Sequence, residues 1–138
     1  MFMNGRLTGK ARVCLSTLGP GATNLMTGVA DANLDGATLV GITGQVGTDR
    51  IHIESHHYLD LVAIFAPLTK WNKQIIRPSI TPEVVRRAFK RSQTEKPGAV
   101  HIYLPENIAA MPVDAQPLHK DNSEKAMLLL LVFALLLP

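Results

Sequence analysis

Cysteine is nearly missing from this sequence. Cys14 stands alone, so no disulfide can close within the chain and no CxxC pair offers a zinc site. Set in the apolar run Val13-Cys14-Leu15, its thiol is expected to pack as a small hydrophobe rather than act as a nucleophile. Aromatic residues make up only 5% of the chain and do not interleave with basic ones, as a single-strand nucleic-acid groove requires. Charge of one sign is scarce too: 14 Lys and Arg against 11 Asp and Glu leave +3. Four of those cations, Arg86, Arg87, Lys90 and Arg91, recur at helical spacing and read as a solvated face. Nucleic acid is therefore not an expected partner. No charged-then-apolar leader opens the chain, so the expected setting is reduced and cytoplasmic.

Long hydrophobic runs are equally few. The one candidate, residues 126–138 (AMLLLLVFALLLP), is far shorter than the roughly 20 residues that span a bilayer. A buried helix, a membrane-surface contact and a stretch with no selected role all stay open for it, and membrane contact is the least expected. The change of composition after Lys125 is abrupt enough to read as a cut in a domain sequence. What remains is ordinary for a globular protein: 138 residues, 46% hydrophobic and 18% charged, enough to bury one real core. The expected division is a domain over 1–113, a linker over 114–125 and the apolar tail over 126–138.

Within that domain, short apolar runs alternate with helical patterns. RVCLSTL (12–18) reads as a buried strand that ends at Gly19-Pro20-Gly21. Thr23 or Asn24 can cap a helix over about 25–35, with Leu25, Val29 and Ala32 on its inner face. TLVGIT (38–43) is a second strand. A polar loop, 47–55, leads to a helix expected over 56–66, with Leu59, Val62, Ala63 and Ala66 inward. A third strand is expected within 69–76. Thr81-Pro82-Glu83 then signals a helix to about Thr94, with Thr81 as its N-cap and Val84, Val85, Ala88 and Phe89 inward. Lys96-Pro97-Gly98 turns into a last strand, AVHIYL (99–104). Trp71 and Phe89 are expected in core or interface positions, and Lys70 and Lys73 as surface charges at a strand edge. The order predicts an α/β fold, a parallel sheet flanked by helices, with any ligand beyond the carboxyl ends of its strands.

Two local patterns carry chemistry. Gly19-Pro20-Gly21-Ala22-Thr23-Asn24 joins a strand to a helix, where glycines allow close backbone approach and free N–H groups favour negative charge. It lacks the Lys-Ser/Thr of a P-loop, and Asn24 stands where a dinucleotide fingerprint has its third glycine. By itself it reads as a tight connection. The other pattern is His52, Glu54 and His56, which would share one face of an extended segment and could bind zinc or nickel. It lacks the H-E-x-x-H helical spacing, and solvated loop histidines are the expected reading.

RLTGK (6–10), STLGPGATN (16–24), GVADANLDGATLVGITGQ (28–45), ESHH (54–57), APLTKWN (66–72) and EKPGAVHIYLPE (95–106) occur in order. Together, over about residues 4–113, they resemble the thiamine diphosphate-dependent enzymes of the acetolactate synthase type, in their N-terminal pyrimidine-binding domain. The resemblance implies a flavodoxin-like domain lacking its first strands, with thiamine diphosphate held between two domains of different subunits. It implies that Pro20, Gly21 and Asn24 line the pyrimidine side and that Gln45 shapes the same rim. His57 stands where relatives usually carry a glutamine that points to the active site. Diphosphate and Mg²⁺ belong to a C-terminal domain with a Gly-Asp-Gly to Asn-Asn motif, which nothing in these residues matches. FAD in the parent family stays open. The resemblance also implies a homo-oligomer or parent-enzyme subunits as partners, and a 2-oxo acid such as pyruvate as substrate. The family's essential glutamate lies upstream of the RLTGK segment. Asp31, Asp35 and Glu54 are the carboxylates near the motif, but none stands at its position. No catalytic residue is therefore assigned, and the chain alone is expected to be inactive and marginally stable, with an exposed sheet edge prone to association.

Overall fold

Strand β1 (Arg12–Ser16) pairs in parallel with β2 (Leu39–Gln45), Arg12 opposite Leu39 and Ser16 opposite Thr43. On its other side β2 pairs in parallel with β4 (Ala99–Pro105), and β4 with β3 (Trp71–Gln74), giving the order β1-β2-β4-β3. This computed structural model describes residues 2–114 apart from His52, Glu54 and Ser55; most of the expected linker and the apolar tail lie outside the described residues. The α/β architecture is the expected one. It also explains why β2 and β4 are apolar and unpatterned: all seven residues of each are buried, because helices cover both faces.

Helices α2 (Pro20–Leu34) and α3 (Leu61–Phe65) lie on one face, where Val29, Ala32, Leu61 and Phe65 pack with Cys14, Leu39 and Ala99. Helix α4 (Thr81–Gln93) covers the other, setting Val84, Val85 and Ala88 against Val40, Ile42, Val100 and Ile102. Each large aliphatic side chain so buried contributes about 1.5–3 kcal/mol. Arg86, Arg87, Lys90 and Arg91 point outward, as their spacing predicts. Two short helices, α1 (Phe2–Thr8) and α5 (Glu106–Ala110), were not expected. No helix among the described residues is long and apolar enough to cross a membrane.

Several boundaries differ from expectation, each for a local reason. Helix α2 starts five residues early, at Pro20, because proline's fixed φ suits the first helical position. The Gly-Pro-Gly segment is therefore a helix start rather than a loop, and neither Thr23 nor Asn24 is the cap. Thr81 is likewise the first helical residue of α4 and not its N-cap; a 3-10 turn, Pro78–Ile80, leads in from the preceding strand. The helix expected over 56–66 shrinks to α3. His57 adopts a positive φ of 61°, and the Asp60 carboxylate accepts from the Ala63 N–H at 3.0 Å, capping the helix there. Its inner face is consequently Leu61 and Phe65, while Ala63 and Ala66 are exposed. Lys70 is more than a surface charge: its Nζ donates to the carbonyls of Arg91 and Thr94, both at 2.9 Å, closing the C-terminal end of α4.

Cys14 is buried, its Sγ 3.8 Å from the Val40 carbonyl, and burial pushes its thiol up to about 11. The thiolate is the reactive form, so Cys14 should resist a thiol reagent at pH 7.5 and react fully once the chain is unfolded in guanidinium. Rapid labelling of the folded chain would contradict this packing. Strand β1 is one outer strand of the sheet, and Val13 and Leu15 on its α4 side are only half-buried.

Candidate functional site

Two connections meet beyond the carboxyl ends of the strands. The first leaves β1 through Thr17 and Leu18 to Gly19, which caps α2 at φ 58° and ψ −124°. Gly19 is buried, and its missing Cβ is required: one placed there would lie 2.6 Å from His57 Cβ and 2.9 Å from the His57 carbonyl oxygen. The glycine turn and the 56–60 segment, distant in sequence, are thus in direct contact. Pro20 has no N–H, and the Thr23 N–H bonds back to Gly19 at 3.1 Å, so the first-turn donors without helical partners are Gly21 and Ala22. Gly21 faces inward, where a Cβ would come within 2.5 Å of Thr17 Cγ2. Pro20 and Asn24, one turn apart, are exposed.

The second connection, from β2 to α3, is fastened at both ends. At its start Thr48 N–H donates to Asn107 Oδ1 at 3.0 Å, Asn107 Nδ2 donates to Thr48 Oγ1 at 2.8 Å, and Arg50 pairs with Glu106 at 2.6 Å. These bonds tie it to α5. Its far end is held from the end of β2: Gln45, only 3% exposed, accepts from the Val46 N–H at 3.0 Å and donates through Nε2 to the Leu59 carbonyl at 2.8 Å. Gln45 thus lies beneath the rim with its amide engaged at both ends. His57 itself is exposed, its ring centroid 3.6 Å from that of His56.

Below this rim runs a row of buried polar groups that was not anticipated. His101, at the middle of β4, is fully buried and stacks on Phe65 with centroids 3.9 Å apart. Its Nε2 lies 3.0 Å from Thr43 Oγ1 and its Nδ1 3.3 Å from Asn72 Oδ1, while Asn72 Nδ2 donates to the Val62 carbonyl at 2.6 Å. The Asn72 amide gives its hydrogen to Val62, so its oxygen must accept. That assigns His101 as the neutral Nδ1–H tautomer, accepting from Thr43 at Nε2. Burial holds its imidazole down to about 3. Next along β4, the Tyr103 hydroxyl donates to Gln74 at 2.7 Å; burial, then Asp60 and Tyr58, push it up to about 12. A signal was present: Thr43/Gln45, Asn72/Gln74 and His101/Tyr103 are polar pairs two apart on three strands, the spacing that places both members on one face.

Of the carboxylates weighed from the sequence, Asp31 and Asp35 do not reach this place, and Glu54 lies outside the described residues. Asp31 and Asp35 stand some three to four turns along α2 from Gly19, about 18–24 Å away. Asp35 is also engaged with Arg6. The His52, Glu54 and His56 metal pattern falls largely outside the described residues, among which no group of three or more His, Cys, Asp and Glu could hold a metal ion. What the site offers is a helix start with exposed Pro20 and Asn24, two N–H groups with no partner among the described residues, and a histidine pressed against its first glycine.

Residues 3–64 match the family described as thiamine pyrophosphate enzyme, N-terminal TPP binding domain. The chain is 43% identical over 111 residues to a probable acetolactate synthase large subunit of Methanocaldococcus jannaschii, covering 80% of this chain and 19% of the relative. It is 38% identical over 109 residues to the acetolactate synthase large subunit of Corynebacterium glutamicum, covering 79% and 17%. It is 39% identical over 114 residues to the acetolactate synthase isozyme 1 large subunit of Escherichia coli, covering 81% and 20%. The chain spans about a fifth of the length of these curated relatives.

Proposed function

We propose, on the premise that this chain belongs to the thiamine pyrophosphate enzymes through an acetolactate synthase-like N-terminal binding domain, that it forms the pyrimidine half of a thiamine diphosphate site. Pro20, Gly21 and Asn24 would hold the ring side of the cofactor, with His57 at the rim and Gln45 supporting it from below. When bound, that cofactor supplies carbanion stabilisation next to a carbonyl, the chemistry by which 2-oxo acids such as pyruvate are cleaved or joined. The residues of this chain bind and orient; the described ones hold no metal cluster for a diphosphate. In this reading Mg²⁺ and the phosphates are held by a separate domain, as the family resemblance implies, and the pyrimidine half-site by itself would not carry out carboligation. The contact of His57 with Gly19 carries this reading, because it brings the helix start and the histidine segment to one place.

Calorimetric titration of the purified chain with thiamine diphosphate and Mg²⁺ tests it. Saturable binding is expected, weakened at least tenfold in Asn24→Ala with the fold unchanged. A folded chain that takes up no cofactor would overturn the half-site. A second reading, a non-catalytic α/β piece that acts in subunit association, rests on the outer strand β1 with its half-exposed Val13 and Leu15. Light scattering during the same titration decides it, since a monomer at all concentrations would remove that reading.

A further inference from the structure

We infer that Gln45 is a positioning residue for the proposed cofactor rim: its amide latches the Leu59 carbonyl and thereby sets His57 against Gly19. The inference rests on the half-site reading and names what shapes that site. Gln45 ends β2, a central strand buried along its whole length, so its side chain starts from a rigid base. The Val46 N–H takes up its Oε1, which leaves Nε2 as the donor facing outward. That donor reaches Leu59, 14 residues ahead, at 2.8 Å, and one side-chain bond closes the excursion between them.

Two residues before Leu59 stands His57, in a positive-φ conformation with its Cβ and carbonyl against the buried Gly19. From Leu59 onward the chain is held by other means: the Asp60 cap on Ala63, and the Asn72 bond to the Val62 carbonyl. The first half of the connection is held by α5 through Asn107 and Glu106. Between those supports, the described bond that fastens the Leu59 end of the excursion to the sheet comes from Gln45. An amide is suited to this task, since one terminal atom accepts from its own strand while the other donates across the gap.

The test uses the full chain without ligand first, so that it does not depend on cofactor binding. In the wild type, a nuclear Overhauser effect between His57 Hβ and Gly19 Hα is expected, with slow exchange of one Gln45 side-chain amide proton. Gln45→Met keeps the volume and removes both bonds. It should abolish that effect and raise hydrogen exchange at 56–60 more than tenfold, while Ile42 and Ile102 stay protected. Asn107→Ala, which frees only the first half of the connection, should leave the His57–Gly19 signal intact. Thiamine diphosphate binding should then weaken at least tenfold in Gln45→Met. An unchanged His57–Gly19 signal in Gln45→Met would overturn the latch. If Gln45→Met does not fold, rapid exchange of both Gln45 amide protons in the wild type overturns it, and slow exchange of one supports it. Loss of the signal in a chain that binds no cofactor leaves the latch standing and removes only the half-site reading.

Discussion

Gly19→Ala should be strongly destabilising, costing about 2–6 kcal/mol. Two effects add. At φ 58° and ψ −124° an L-residue other than glycine bears about 1–3 kcal/mol of backbone strain. The new methyl would also sit 2.6 Å from His57 Cβ and 2.9 Å from its carbonyl oxygen. Overpacking of that kind costs about 1–3 kcal/mol, and the nearer atoms belong to backbone and Cβ, which cannot swing aside as a side-chain tip would. Against a typical domain stability of about 5–15 kcal/mol the loss is large. Urea unfolding measures it. Placing Gly19→Ala in a His57→Gly chain removes the Cβ overlap but keeps the strain, so about 1 kcal/mol or more should be recovered as coupling. A Gly19→Ala chain as stable as the wild type would mean that the turn and the histidine segment are not in contact. The proposed pyrimidine half-site would then lose its main geometric support.

Acid should weaken the fold through His101. Its imidazole is held down to about 3 by burial, whereas an unfolded chain takes up the proton near the ordinary 6.5. Between those values the unfolded state binds one more proton than the folded state, so stability rises with pH across this window. The contribution is complete above about 6.5 and is lost as the pH falls, on the order of 1 kcal/mol per pH unit. From pH 7 to pH 5 that amounts to about 2 kcal/mol. Protonation would also put a second N–H where Nε2 accepts from Thr43, so the charged ring loses a bond as well as its solvation.

The comparison chain is His101→Gln, which can still give and take one hydrogen bond each but does not titrate. It should be less stable than the wild type at pH 7, having lost the stack on Phe65. The gap should then close by about 2 kcal/mol at pH 5. A gap that is constant with pH would show that the fold does not keep His101 neutral. Because each chain serves as control for the other, carboxylates and the remaining histidines cancel from the difference.

Much of this protein could be read directly from its residues. Apolar runs without alternation, separated by helical stripes, require a parallel sheet covered on both faces, and β2 and β4 are buried accordingly. The inward set Val84, Val85 and Ala88 follows from the 3.6-residue period over a long helix. The ordered segments from RLTGK to YLPE pointed to a thiamine diphosphate domain of the acetolactate synthase type, and the comparisons agree.

Where sequence and structure differ, local signals competed. Pro20 follows a strand as a breaker would, although the same fixed φ that ends one helix can start another. The run from His56 to Ala66 has a plausible helical stripe, yet Asp60 and the positive φ of His57 hold helix back until Leu61. Tertiary structure alone decided that Gly19 makes room for His57, that Lys70 closes the end of α4, and that the Gln45 amide reaches Leu59. Residue type and period determine which face a side chain takes along its own element. Which distant backbone that side chain meets depends on how strands stack and where connections return, information spread over the whole chain rather than held in any one segment of it.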